Sequence, residues 1–173
     1  MRNVGQFLGV LSVVIMVGCA GTQPREALIV PQSDQSTLYA RGLSTTLLVE
    51  EAADNAAALR ARNGLAATIE AHVKSLTKQA SEQIGIGKDA ELNSAFSEVI
   101  KQTVSQSLNF SSPYKKAPTV YDKRLGAYRA EVIYKVDIGP INDQIMENIK
   151  ARKNLYERFR TTELFEELEA ETQ

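Results

Sequence analysis

The chain has a single cysteine, Cys19, and its position predicts acylation of the thiol rather than catalysis, metal binding or a disulfide. Cys19 closes an apolar run over residues 4–17, which follows the positively charged Arg2, and the small Gly18 directly precedes it. A charged start, an apolar stretch and a small residue at the cleavage point are typical of a secretory signal peptide. We therefore expect residues 1–18 to be a signal peptide and Cys19 to become the lipidated first residue of the mature protein.

The motif at the end of this run, Met16-Val17-Gly18-Cys19, resembles a lipobox in which methionine replaces the usual leucine. The run of about 14 residues is shorter than the roughly 20 residues that a membrane-spanning helix needs. Two alternatives stay open: an ordinary signal peptide with a chance cysteine, and an uncleaved N-terminal anchor. Ala20 stands where aspartate would favour retention in an inner membrane, so it indicates the outer membrane of a host with two membranes.

Other residues that could do chemistry have simpler structural explanations. His72 is the only histidine, and we expect it near the surface of a helix, without the partners of a zinc site or a catalytic triad. Glu50, Glu51 and Asp54 could bind a cation, but acids at a helix start normally interact with the helix dipole. The sequence therefore predicts no catalytic site, no metal and no cofactor, and a protein that is not an enzyme; a hydrolase with an unusual site is the least favoured alternative.

Composition limits the classes of partner. The formal net charge is −1 at pH 7, and we find none of the basic patches that a nucleic-acid surface needs. Basic pairs at residues 115–116 and 123–124 could contact a polyanion, but solvated turn charges are the favoured explanation. The length after cleavage fits one domain with flanking elements.

The N-terminal half predicts a tether, a strand and a long helix. Residues 19–36 are small and polar, which is typical of a flexible tether. Residues 37–43 alternate in the manner of a short strand. From about residue 47 to residue 84, apolar side chains recur every three or four positions, which predicts a long amphipathic helix ended by Gly85. Its predicted buried stripe consists of Ala52, Ala56, Leu59, Ala66, Ile69, Val73, Leu76, Ala80 and Ile84.

A second helix and an edge strand follow. Asp89 is a suitable N-cap for a helix that ends near Ser107. Pro113 and Pro118 lack the backbone N–H that a central strand needs, so residues 109–121 can form at most an edge strand.

The clearest strand covers residues 127–138, preceded by a hairpin loop in which Gly126 can adopt a positive φ. One face of this strand should pack on helices, and the other should be largely in water. The second face carries Arg129, Glu131, Lys135 and Asp137, interrupted only by Ile133. These elements predict an α+β domain over residues 37–139, with the long N-terminal helix on a small antiparallel sheet.

Gly139-Pro140 ends the strand and begins a last amphipathic helix, assigned to residues 140–173. Continued to about residue 169, this helix would be roughly 45 Å long. Its middle is basic and its end is acidic, and opposed charges of this kind steer association. We expect it to mediate self-association or docking on an envelope complex; the alternative is that it packs on its own domain with a frayed acidic tail.

Three stretches together resemble the LPP-twenty lipoprotein family, which includes the flagellar P-type outer-membrane lipoproteins. They are Tyr39-Ala40-Arg41-Gly42, the alanine-spaced segment from Ala52 to Val73, and Tyr128-Arg129-Ala130-Glu131-Val132-Ile133-Tyr134-Lys135-Val136. The resemblance covers roughly residues 38–138. It implies a compact strand–helix–strand–strand fold and a non-enzymatic role in the envelope, with Cys19 as the one functional residue carried over. The helix after residue 140 lies outside the shared pattern.

The sequence as a whole predicts a lipoprotein anchored by its acyl chains to the outer membrane and facing the periplasm, with a structural or assembly role. An alternative is a binding module that captures a small molecule, a lipid or a cell-wall fragment between the long helix and the sheet. The identity of a partner and any flagellar link do not follow from the sequence.

Overall fold

The computed structural model describes residues 27–85 and 89–171 and confirms an α+β fold with an antiparallel sheet. The described residues form three strands, which lie in the order β1-β3-β2. The strands are β1 (Thr37–Leu43), β2 (Ser112–Asp122) and β3 (Ala127–Asp137). The α-helices are α1 (Glu50–Ile84), α2 (Ala90–Ser107), α3 (Ile138–Lys150), α4 (Lys153–Phe159) and α5 (Glu163–Glu171), and a short 3-10 turn (Leu108–Phe110) joins α2 to β2.

Helix α1 has 35 residues and is therefore about 52 Å long. Its first half lies on the sheet and its second half is surrounded by the other helices. The predicted stop at Gly85 is confirmed, because Gly85 adopts the left-handed conformation with φ 70°. The next residue, Ile86, lies outside the described residues.

The contact between α1 and the sheet is made by small side chains. Ala53, Ala57 and Ala61 are fully or almost fully buried and pack with Ala130 and Val132 of β3. This close approach brings the backbone of α1 against Gly42 of β1. A residue without a side chain is therefore required at that position.

The predicted stripe was wrong in phase over the first half of α1. The buried positions recur every four residues and include Ala53 and Ala57, whereas Ala52 is exposed, Ala56 is half-buried and Leu59 is 61% exposed. Consecutive alanines left the phase undetermined, since each alanine contributes equally little apolar area to either face. From Ile69 onward the predicted phase is confirmed at Val73 and Ala80.

The second half of α1 lies in a core of large aliphatic and aromatic side chains. Helix α2 begins at the predicted cap, where the Asp89 carboxylate accepts the backbone N–H groups of Glu91 and Leu92. Helices α3 to α5 complete this core, which includes Leu65, Ile69, Val73, Phe96, Val99, Ile141, Ile145, Ile149, Leu155, Phe159, Leu164, Phe165 and Leu168.

The prediction of one long C-terminal helix was wrong. The chain forms α3, α4 and α5 instead, and all three contribute apolar side chains to the core that they share with α1 and α2. The first break lies at Arg152, whose guanidinium donates to the backbone carbonyl of Asn148 in the last turn of α3 (2.6 Å). The second lies at Thr162, whose hydroxyl accepts the backbone N–H of Phe165 and so caps α5.

The predicted hairpin and the predicted edge strand are both confirmed. Strand β2 lies at one edge of the sheet and carries both prolines. It pairs with β3 through a loop in which Gly126 has φ 63°. Strand β3 ends one residue earlier than predicted, at Asp137, because Ile138 already begins α3.

Candidate functional site

Cys19, the lipidation site predicted from the sequence, lies outside the described residues, and its acylation stays a prediction. The nearest described part of the chain is residues 27–36, here called the docked segment. The sequence predicts that this segment is part of a flexible tether. In the structure, hydrogen bonds attach it to the sheet at several points.

One attachment is a buried carboxylate on β3. The backbone N–H of Leu28 donates to Oε1 of Glu131 (2.9 Å). Nε of Arg41, on β1, lies 2.7 Å from the same oxygen. Glu131 is only 1% exposed, and a buried charge is costly unless it is paired and hydrogen-bonded. Arg41 and the docked segment therefore both help to compensate the burial of this charge.

The other attachments lie at the start of β1. Tyr39 donates its backbone N–H to the Ser33 hydroxyl (3.0 Å). The Asp34 carboxylate accepts from the Ser36 hydroxyl (2.7 Å) and from two backbone N–H groups. Hydrogen bonds from the Ser36 hydroxyl, then from the backbone of Ser36 and Thr37, hold the pKa of Asp34 below its usual range. The turn that leads into β1 is thus fixed by local hydrogen bonds.

The docked segment bears on the prediction that the second face of β3 is largely in water. That prediction was wrong at the centre of the strand, where Glu131 and Ile133 are buried. Two features accompany the burial: the docked segment at Glu131, and an edge-to-face pair of Tyr39 and Tyr114 that spans β3 with ring centroids 5.1 Å apart. The ends of the face, at Arg129 and Asp137, are exposed as expected.

Of the three acids that could have bound a cation, Asp54 instead binds side chains of β2. Its carboxylate accepts from Nζ of Lys116 (2.6 Å) and from the Thr119 hydroxyl, which fixes the start of α1 to β2. Burial alone would raise the pKa of Asp54, but the hydrogen bonds from Lys116 and Thr119 and the attraction of the ammonium outweigh it. The pKa is therefore lowered from 3.8. Glu50 and Glu51 lie exposed in the first turn of α1.

His72 and the basic residues near the hairpin lie in separate places in the structure. His72 lies half-buried on α1, with Nε2 3.4 Å from Oδ1 of Asn142 on α3. Within residues 27–85 and 89–171, no group of three or more His, Cys, Asp or Glu side chains could hold a metal ion. Lys116 is paired with Asp54, and Lys123 and Arg124 are exposed in the hairpin loop.

The alternative prediction places a ligand between α1 and the sheet, and the geometry of that interface is therefore relevant. A Cβ built on Gly42 would lie 1.9 Å from the carbonyl oxygen of Ala57, so helix and sheet are in direct contact there. Beside this contact, an open cleft of about 230 Å³ is lined by residues that include Asp54, Lys116 and Tyr134. This is below the range of roughly 300–1,000 Å³ that is usual for ligand pockets.

A surface that the sequence did not reveal lies at the hairpin end of the sheet. Leu47 bridges to Tyr128 beyond the end of β1, and Tyr128 contacts Tyr121 of β2 with ring centroids 5.0 Å apart. Exposed apolar side chains surround this point, and we call them the hairpin-end surface: Leu48, Val49, Tyr121 and Leu125. They come from three separate loops or strands, which explains why no linear pattern marks them.

Comparison of the chain with protein families, with curated proteins and with solved structures finds no match. The resemblance to the LPP-twenty family therefore stays a prediction from the residues alone. In the part of the chain that the structure describes, no helix is both long enough and apolar enough to cross a membrane.

Proposed function

We propose that this chain is a bacterial envelope lipoprotein, anchored to the outer membrane by acyl chains on Cys19 and facing the periplasm, with a structural or assembly role and no catalytic activity. The single observation that carries the proposal is the apolar run that ends in Met16-Val17-Gly18-Cys19. The fold lends support, because the chain is docked on the sheet at Leu28, only nine residues after Cys19. A short connection of this kind suits a domain held close to a membrane.

Substitution of the cysteine tests the anchor. In a Gram-negative host, the wild type should fractionate with membranes and incorporate labelled fatty acid, whereas Cys19→Ser should do neither. Thr22→Ser, a comparable change three residues further on, is the matched control and should behave as the wild type. Membrane association of Cys19→Ser at the wild-type level, with no label in either protein, would refute the proposal.

The choice of membrane depends on the residue after the cysteine. We expect wild-type protein in the outer-membrane fraction of a density gradient. Ala20→Asp should shift it to the inner membrane, and Ala20→Ser should leave it in place. An inner-membrane position for the wild type would remove the outer-membrane part of the proposal while leaving the anchor intact.

The family-like part of the proposal concerns residues 37–137. The described order there is a strand, two helices and a hairpin of two strands, as the LPP-twenty resemblance implies. In this proposal the strand–helix–strand–strand unit is the domain that the family shares, and α3 to α5 are an addition to it.

Self-association remains part of the proposal, but its basis changes with the fold of residues 138–171. Their apolar side chains are buried in their own core, so another copy or an envelope protein would have to bind the charged outer side. Glu166 and Glu167 are exposed there. If association depends on these acids, Glu166→Lys combined with Glu167→Lys should lower the native mass of the detergent-solubilised lipoprotein. The same reversal at Glu70 and Glu82, on α1, should have no effect.

Ligand capture is the competing proposal. Because α1 touches β1 at Gly42, a small molecule, lipid or wall fragment would have to use the open cleft beside Asp54 and Lys116. Filling the cleft with Asn55→Trp should abolish such binding without affecting membrane association, and this separates the two proposals.

A further inference from the structure

Two hydrogen bonds define the direction in which the docked segment runs along the sheet. Its later end is fixed beside the end of β3, where the Ser36 carbonyl accepts the backbone N–H of Ile138 (2.8 Å). Its earlier end is fixed at Glu131, six positions back along β3. Followed from Ser36 back to Leu28, the chain therefore runs toward the β2–β3 hairpin.

The length of the connection to Cys19 restricts the orientation further. Eight Cα-to-Cα steps separate Cys19 from residue 27, which amounts to at most about 29 Å of extended chain. From Glu131 to Gly126, β3 and its turn cover about 17 Å, so a bilayer at the hairpin end is within reach. Helix α1 starts at that same end and extends about 52 Å from it. Measured from the level of Glu131, where the docked segment is fixed, the far end of α1 lies about 35 Å away. This distance exceeds the reach of the connection.

The side chains at the hairpin end suit a lipid surface. Leu48 is 81% exposed, Val49 is 59% exposed and Leu125 is 49% exposed, and exposed apolar groups in one place mark interaction sites. The charged neighbours are nearly balanced: Lys123 and Arg124 on the hairpin, Glu50 and Glu51 at the start of α1, and Asp122 in the turn. Contact with lipid would thus depend on apolar side chains more than on attraction to anionic headgroups.

We propose that the hairpin-end surface rests on the same bilayer that holds the acyl chains of Cys19, with Leu48, Val49 and Leu125 in contact with lipid. This inference rests on the proposed lipid anchor. It orients the molecule with the sheet near the membrane and with the helical end, formed by the second half of α1 and by α2 to α5, directed away from it.

Tryptophan substitution tests this orientation, because the chain contains no tryptophan. Full-length lipidated Leu125→Trp would be reconstituted into vesicles of phosphatidylethanolamine and phosphatidylglycerol, with and without bromine-labelled acyl chains. The matched control is Phe110→Trp, since Phe110 is 48% exposed and lies beside the opposite end of β3. Circular dichroism establishes that both variants fold.

The expected result is that Leu125→Trp emits at a shorter wavelength in vesicles and is quenched by bromolipid several-fold more strongly than Phe110→Trp. The difference should persist at about 1 M salt, where the Debye length is only about 3 Å. Equal quenching of the two variants would overturn the inference, as would preferential quenching of Phe110→Trp. Co-sedimentation is read in the same samples: loss of sedimentation refutes the anchor itself, whereas sedimentation without quenching at Leu125→Trp refutes only the orientation.

Discussion

The two halves of α1 pack against their surroundings through side chains of different size. Over the sheet, its contacts are alanines that bring backbone against backbone at Gly42. Among the helices, its contacts are Leu65, Ile69 and Val73, which interdigitate with side chains such as Phe159. The contact with the sheet has no room for larger side chains, whereas the contact with the helices depends on the apolar surface that it buries. Enlargement should therefore destabilise the first contact, and truncation should destabilise the second.

The largest effect is expected from truncation in the helical half. Phe159 is 1% exposed and packs edge-to-face on Phe165, with ring centroids 5.7 Å apart. Phe159→Ala should lower the free energy of unfolding by about 3–5 kcal/mol, because it removes apolar contact and leaves a cavity. The measurement is chemical denaturation, with Phe110→Ala as the exposed control. Equal losses in the two variants would show that Phe159 does not belong to a packed core.

The next effect is expected from enlargement in the sheet half. Gly42→Ala places a methyl group 1.9 Å from Ala57 O and 2.5 Å from Ala61 N, and both are backbone atoms. Helix α1 must move away, so we expect a loss of about 3 kcal/mol, at the upper end of overpacking effects.

The matched control for Gly42→Ala is Gly139→Ala, whose added methyl group meets nothing within 4 Å. It should change the free energy of unfolding by less than about 1 kcal/mol and is expected to favour the folded state slightly, because alanine suits a helix better than glycine. A Gly42→Ala variant as stable as the wild type would mean that α1 does not lie flush on β1.

A smaller, local effect tests the docked segment. Glu131→Gln weakens the bond to the backbone N–H of Leu28, because a charged acceptor is stronger than an amide. Hydrogen exchange at Leu28 should accelerate by about tenfold, which corresponds to about 1.4 kcal/mol and is the scale of a hydrogen bond to a charged group. Asp137→Asn, an equivalent change on the same face of β3, should leave this rate unaltered. Fast exchange at Leu28 already in the wild type would contradict docking.

The smallest effect concerns Asp54, and it depends on pH. Its pKa is lowered in the folded state, so its ionised form stabilises the fold above the ordinary value of 3.8. That contribution disappears as the pH falls below 3.8 and through the lowered folded value. Asp54→Asn should therefore cost up to about 1 kcal/mol at neutral pH, the scale of a partly exposed ion pair.

The measurement for Asp54→Asn is denaturant unfolding at neutral pH and again near pH 3. The difference from the wild type should shrink at the lower pH. Glu82→Gln, which removes a more exposed pair with Lys78, should cost less at neutral pH. A difference at Asp54 that grows on acidification would mean that its pKa is raised.

The elements with strong local signals could be predicted from the sequence. The alternation of β1, the Gly85 stop, the Asp89 cap and the Gly126 hairpin were all predicted correctly, because each rests on the conformational preference of a few neighbouring residues. The capping threonine of α5, Thr162, carried the same kind of signal and was overlooked.

The remainder depends on contacts between distant residues. The break between α3 and α4 has neither glycine nor proline; Arg152 stabilises it by reaching back to Asn148 and across to Gln102 on α2. The burial of Glu131 depends likewise on Arg41 and on Leu28, which lies 103 positions away. The periodicity of a sequence does not reveal such partners. The polar residues 27–36 were therefore interpreted as part of a flexible tether, and the second face of β3 was interpreted as solvated.

The most direct test of the central claim is the mass of the N-terminal peptide from protein extracted out of the membrane fraction. The account predicts a peptide that begins at Cys19 and carries acyl chains on its sulfur and amine. A peptide that still contains Met1, or one that begins at Cys19 with an unmodified thiol, would contradict the anchor on which the proposed function and the orientation of the domain both depend.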